Sequence, residues 1–183
     1  MHYTIDIAGL KRDLKLFPVS EQTMIAALIL FGDVELTTHC AKELLKKAPE
    51  FDIILTAEAK SIPLAYEMAR QKQMNDYVVA RKVQKVYMGD TVQAQLQSIT
   101  TRGSQKLYLG REDFKKLTNK KVLIVDDVVS TGDSLHALEM LADTAHSTIV
   151  GKMAILGEGD SQSREDVITL GKLPLFDAQG NPK

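Results

Sequence analysis

Cysteine is almost absent from this 183-residue chain: Cys40 stands alone. Neither an intrachain disulfide framework nor a cysteine-rich zinc site can be built from it, and its expected role is that of a buried thiol. Tryptophan is missing altogether. No apolar run approaches the ~20 residues of a membrane span. The opening stretch MHYTIDIAGLKRDLKLF carries polar and charged residues where a signal peptide needs an apolar core, so the expectation is a cytoplasmic protein with no membrane partner. An excess of charge is lacking too. With 23 basic and 24 acidic residues the net charge is -1, which gives no support to a broad nucleic-acid surface. The four histidines show no His-x-x-x-His spacing that would pair them on a metal. Repeats and low-complexity tracts are absent, and the length predicts a single domain over residues 1–183.

What is present alternates between two kinds of segment. Residues 20–31, SEQTMIAALILF, predict an apolar helix capped by Ser20, and 37–47 a second helix. FDIILT (51–56), DYVVAR (76–81), KVLIV (121–125) and TIVGKMAIL (148–156) are of strand length. Helical spacing recurs at 62–71, 133–145 and near 162–170. Residues 82–110 are polar, with some alternation at TVQAQLQSI and QKLYLG, and predict a long loop or ribbon. This order implies βαβ units: an α/β fold with a mainly parallel twisted sheet flanked by helices. Ligands of such sheets lie beyond the carboxyl ends of the strands. That singles out three loops, TAEAKS, RKVQK and DDVVSTGDS.

The third loop carries the most chemistry. VLIVDDVVSTGDSL runs from an apolar strand into two adjacent carboxylates, Asp126 and Asp127, and then into a small hydroxyl-rich turn that opens a helix. The backbone N–H groups of Val129, Ser130, Thr131, Gly132, Asp133 and Ser134 can converge on an anion, with three side-chain hydroxyls beside them. The Gly-Lys-Ser/Thr of a P-loop is absent. Carboxylates only accept hydrogen bonds, which suits vicinal hydroxyls. The composite ligand is a ribose 5-phosphate.

The stretch resembles the phosphoribosyl pyrophosphate (PRPP) signature of type I phosphoribosyltransferases, and the resemblance extends over most of residues 30 to 158. It implies that Asp126 and Asp127 hold the ribose 2- and 3-hydroxyls and that Val129–Ser134 wrap the 5-phosphate. It also implies a pyrophosphate loop at Ala57-Glu58-Ala59-Lys60-Ser61, similar to the acidic–small–Arg–Gly loop of adenine phosphoribosyltransferases, with Lys60 for Arg and Ser61 for Gly. In the family this loop often holds a non-proline cis peptide. Arg81, Lys82 and Lys85 resemble the basic residues that grip pyrophosphate, partly across a dimer interface. The resemblance therefore implies a homodimer, a mobile loop over about 84–110 and a small hood from about 1–36 and 157–183. Magnesium (Mg2+) would come with PRPP, with no direct protein ligand. Catalysis would rest on Asp126, Asp127, Lys60 and Arg81.

The acceptor base is read from weaker signals. Phe31-Gly32-Asp33-Val34 resembles the Phe-Arg-Asp-Ile of the adenine enzymes, with Gly32 in place of Arg. Leu30, Phe31, Gly32, Asp33, Val128 and Glu158 are the candidate base contacts. Ser130 stands where hypoxanthine–guanine enzymes carry an Asp. The expectation is a purine, adenine first and a 6-oxopurine such as xanthine or guanine second. A PRPP-sensing regulatory homologue without catalysis is the remaining alternative.

Overall fold

The computed structural model describes residues 1–96 and 105–183. The chain opens with an antiparallel hairpin, β1 (His2–Ile7) and β2 (Leu10–Pro18), in which Ile7 lies opposite Leu10. A two-residue connection of this kind needs positive φ at both positions; Ala8 (φ 51°) and Gly9 (φ 94°) adopt it. Ile5, Ile7, Leu14 and Leu16 are buried in strict alternation. β3 (Met24–Ala27) completes a three-stranded antiparallel sheet, a small hood, by pairing with β2. The helix expected over 20–31 is therefore not formed. MIAALILF is apolar throughout, so periodicity does not choose between helix and strand. Pairing decides it: Phe17 lies opposite Ile25, and Met24 exchanges backbone hydrogen bonds of 2.9 and 3.0 Å with Phe176 from the tail.

The main body follows as α1 (Val34–Leu45), β4 (Ile53–Ala57), α2 (Ile62–Gln71) and β5 (Val78–Ala80). A 3-10 turn at Val86–Met88 leads to β6 (Thr91–Leu96) and β7 (Gln105–Gly110), then α3 (Arg111–Leu117), β8 (Lys121–Val129), α4 (Asp133–Thr144) and β9 (Thr148–Glu158). A second 3-10 turn, Gly159–Ser163, precedes β10 (Ile168–Leu173). The helix expected near 162–170 is thus replaced by this turn and a strand, because residues 168–173 find a parallel partner in β9. The sequence reading did not anticipate α3. Over its described residues the segment 84–110 is a turn plus a ribbon, with Val92 opposite Leu109 and Ala94 opposite Leu107. The stretch 97–104, where loop closure was expected, lies outside the described residues.

Five strands form one parallel sheet in the order β10-β9-β8-β4-β5. Alternate residues of β8 face opposite layers. Leu123 and Val125 pack into the cluster shared with the hood, α1 and α2, whereas Val122 and Ile124 join α4 and the ribbon. From β4 the chain first builds β5 on one side and later returns to place β8 on the other. That reversal opens a crevice at the carboxyl ends of β4 and β8. Among the described residues no helix is long and apolar enough to cross a membrane.

Candidate active site

β8 runs further than its apolar stretch. It continues through Val129 because β9 is long enough to keep pairing with it: Asp126 lies opposite Ala154 and Val129 opposite Gly157. Asp126 and Asp127 are therefore held by a strand, not by a loop, and both are buried, at 8% and 5% exposure. The Asp127 N–H donates to Asp126 Oδ1 at 2.9 Å. Burial, followed by the adjacent Asp127 charge, pushes the Asp126 carboxyl far above the usual carboxylate range, to about 8. After β8 the chain turns through Gly132, in the left-handed region at φ +86°, into α4. Val128 to Leu135 together with Asp126 line a cavity of about 200 Å³. All six residues of the expected phosphate cradle are on its wall.

The loop after β4 meets this cavity from the other side of the crevice. Ala59, Lys60, Lys82, Asp126, Asp127, Val128 and Ser134 are among the residues lining an adjoining cavity of about 290 Å³. Lys60 Nζ lies 2.6 Å from Asp127 Oδ2, an oxygen with no aligned hydrogen bond, so the contact is an ion pair. Buried hydroxyls support the loop. Thr56 donates to the Val125 carbonyl at 2.7 Å and sits 2.8 Å from Ser61 Oγ, which donates to the Ala57 carbonyl at 2.8 Å. Ser61 thus ties the loop to β4 and, through Thr56, to β8. The peptide between Glu58 and Ala59 is cis.

Glu58 joins the loop to the end of β5. Its Oε1 accepts the Lys82 N–H at 2.6 Å, and its Oε2 stands 2.9 Å from Arg81 Nε. Arg81 is also anchored by its backbone, which exchanges two 2.8 Å hydrogen bonds with Tyr108 of β7. Lys85 sits at the start of the 3-10 turn and lines neither cavity.

The candidate base contacts separate. Val128 lines both central cavities. Glu158, 7% exposed, lines a third of about 480 Å³ together with Ser130, Thr131, Ser161 and Arg164. Leu30, Phe31, Gly32 and Asp33 line a fourth, with Pro63 and Tyr66. Leu30 is core, and the Asp33 carboxylate is engaged: it caps α1 through the Leu36 N–H at 3.1 Å and takes Arg12 at 2.7 and 3.0 Å. That pairing holds the Asp33 carboxyl below its ordinary range.

The sequence reading missed Arg164. A Cβ added to Gly132 would lie 2.5 Å from Arg164 Nη1. The only local signal was a lone arginine in a segment read as helix. Among the described residues no three His, Cys, Asp or Glu side chains gather to hold a metal ion.

A model of the phosphoribosyl transferase domain matches residues 34–168. The chain is 31% identical over 102 residues, 56% of its length, to the purine biosynthesis transcriptional repressor PurR of Bacillus subtilis, covering 35% of that protein. It is 34% identical over 118 residues, 64% of its length, to a hypoxanthine/guanine phosphoribosyltransferase of Methanococcus voltae, covering 59% of it. The chain thus spans between about a third and three fifths of these two relatives. In fold it is similar to an adenine phosphoribosyltransferase of Thermoanaerobacter pseudethanolicus, with a TM-score of 0.73 at 19% identity, over 87% of this chain and 95% of that one.

Proposed function

The chain belongs to the phosphoribosyltransferase family, and from that premise we propose that it transfers ribose 5-phosphate from PRPP to a purine and releases pyrophosphate. The observation that carries the reading is the Lys60–Asp127 contact of 2.6 Å, which joins the pyrophosphate loop to the ribose carboxylates in one crevice. In the reaction the bond between the anomeric carbon and pyrophosphate breaks, its electron pair leaves with pyrophosphate, a ring nitrogen of the base bonds to that carbon, and the base's ring N–H proton is released. Positive charge develops on the sugar and negative charge on the leaving group. Asp126 and Asp127 would accept hydrogen bonds from the ribose hydroxyls and favour the developing cation. Lys60, Arg81 and Lys82 would stabilise the leaving group, with Lys85 from the following turn. Magnesium, held by PRPP, would supply further positive charge there. Val129–Ser134 would wrap the 5-phosphate.

The base is proposed as adenine first. Ser130 at the position of the hypoxanthine–guanine Asp supports this ranking, as does the acceptor-only carboxylate of Glu158 beside the cradle; Leu30–Asp33 would contribute the hood. A 6-oxopurine is the runner-up, favoured by the 34% identity to the hypoxanthine/guanine enzyme. A PRPP-sensing regulator is a second reading, favoured by the 31% identity to PurR. The working form is proposed as a cytoplasmic homodimer. Val83, Val86 and Tyr87, 58%, 103% and 75% exposed next to Arg81–Lys82, are the apolar surface that a second copy would cover.

The test incubates the protein with PRPP, magnesium and each of adenine, hypoxanthine, guanine, xanthine, orotate and uracil, and measures nucleotide and pyrophosphate. Adenine should be used best. A preference for orotate or uracil overturns the purine reading, and turnover of 6-oxopurines alone overturns the ranking. PRPP binding without turnover of any base replaces the enzyme with the regulator.

A further inference from the structure

The cradle of Val129–Ser134 has a charge problem. A 5-phosphate brings between one and two negative charges near neutrality. The cradle's own donors are neutral, and the nearest charged side chain on the same wall, Asp133, is acidic. No lysine or arginine lines that cavity. Behind Ser130 and Thr131, however, the wall is shared with the cavity that holds Arg164, its one cation.

Arg164 is fixed in a particular way. Its Nε and Nη2 donate to the two oxygens of Asp166 at 2.9 and 2.7 Å, a two-pronged pairing that sets the plane of the guanidinium. Asp166 is itself held by Lys152 at 2.5 Å, and Lys152 by Glu139 of α4 at 2.7 Å. Nη1 has no protein acceptor among the described residues, and it is this nitrogen that lies against Gly132. A side chain at position 132 would collide with it, at 2.5 Å from the added Cβ. The bare glycine leaves a charged donor with no protein acceptor among the described residues against the turn that ends the cradle, on the wall of the neighbouring cavity.

We propose that Arg164 is the cation of the 5-phosphate site: Asp166 occupies one edge of its guanidinium so that Nη1 is presented across Gly132 to the phosphate. The proposal rests on the PRPP reading of the crevice. It adds a phosphate-binding residue from beyond the signature loop, and Asp166 as the residue that positions it.

The test is calorimetric binding of PRPP with magnesium, and of ribose 5-phosphate and pyrophosphate separately, to wild type, Arg164→Gln, Arg164→Lys and Asp166→Asn. Arg164→Gln should weaken PRPP and ribose 5-phosphate by about ten- to a hundredfold, the range for a hydrogen bond to a charged group, and leave pyrophosphate unchanged. Arg164→Lys should recover part of the loss, and Asp166→Asn should fall between. The deficit of Arg164→Gln should widen as pH rises from 5 to 7 and the phosphate takes up its second charge, with its pKa near ~6. Unchanged ribose 5-phosphate affinity in Arg164→Gln overturns the proposal, and so does an equal loss for pyrophosphate, which marks general damage. Wild type that binds no PRPP sinks the underlying reading, an outcome seen before any variant is compared.

Discussion

Lys60, from the loop after β4, and Asp127, on β8, are 67 residues apart in the chain and meet at 2.6 Å across the crevice between β4 and β8. The pair neutralises a buried carboxylate. In the proposed reaction PRPP would divide it, the ammonium turning to pyrophosphate and the carboxylate to ribose hydroxyls. Lys60→Ala should therefore lose about a hundredfold to a thousandfold in kcat, the range for removing a donor from a developing negative charge. Pyrophosphate release at saturating PRPP and adenine checks it. A rate equal to that of wild type would remove Lys60 from the reaction.

Asp127→Asn should weaken PRPP binding by about ten- to a hundredfold with little change in melting temperature. The substitution keeps shape but loses two strong acceptor sites facing the cavity. Calorimetric titration with PRPP and magnesium measures the first effect and a thermal melt the second. Unchanged affinity would take Asp127 out of the site.

Asp126 should make the free protein sensitive to alkali. Its carboxyl is raised in the fold to about 8, above its ordinary 3.8, first by burial and then by Asp127. A raised carboxyl contributes stability that is fully present below about pH 4 and is lost as pH climbs towards 8. Wild type should lose denaturation midpoint relative to Asp126→Asn between pH 5 and 8, measured by urea unfolding. Ribose hydroxyls favour the ionised form, so PRPP binding near pH 7 should release protons. Titrations in buffers of different ionisation enthalpy detect that release, and parallel pH profiles for the two proteins would contradict it.

Glu158 should bias the choice of base. A carboxylate accepts hydrogen bonds and never donates, so it suits the amino group at the 6-position of adenine and leaves a 6-oxo group unpaired. Glu158→Gln, which restores a donor, should lower the ratio of kcat/KM for adenine over hypoxanthine by about tenfold or more. An unaltered ratio would place Glu158 outside base recognition.

Asp33 should matter to stability. It caps α1 and binds Arg12 of the hood, at 26% and 24% side-chain exposure. Asp33→Ala should cost about 1–2 kcal/mol from the lost cap, with a modest addition from a partly exposed ion pair. That corresponds to a fall of roughly 2–8 °C in melting temperature for a chain of this size. A melt identical to wild type would show that hood and helix hold together without this contact.

The sequence by itself determined the parts of the protein whose chemistry is contiguous. β8 and the cradle were legible because an apolar strand, two carboxylates and a Ser-Thr-Gly turn follow one another within Val122–Ser134. The alternation of short apolar runs with helical spacing likewise disclosed the parallel sheet. Where local signals were degenerate, tertiary pairing decided. Residues 24–27 became a strand because β2 offered an edge, and residues 168–173 did so because β9 did. The alternating Ile5, Ile7, Leu14 and Leu16 around Ala8-Gly9 did mark a hairpin, a local signal that the sequence reading passed over. The contacts of the site were decided by tertiary structure: Lys60 reaches Asp127 because β4 and β8 are neighbours, and Arg164 reaches Gly132 because the turn after β9 folds back over the residues that lead into α4. Neither contact leaves a mark in local sequence, because burial and pairing energy depend on which surfaces meet and not on how far apart they lie along the chain.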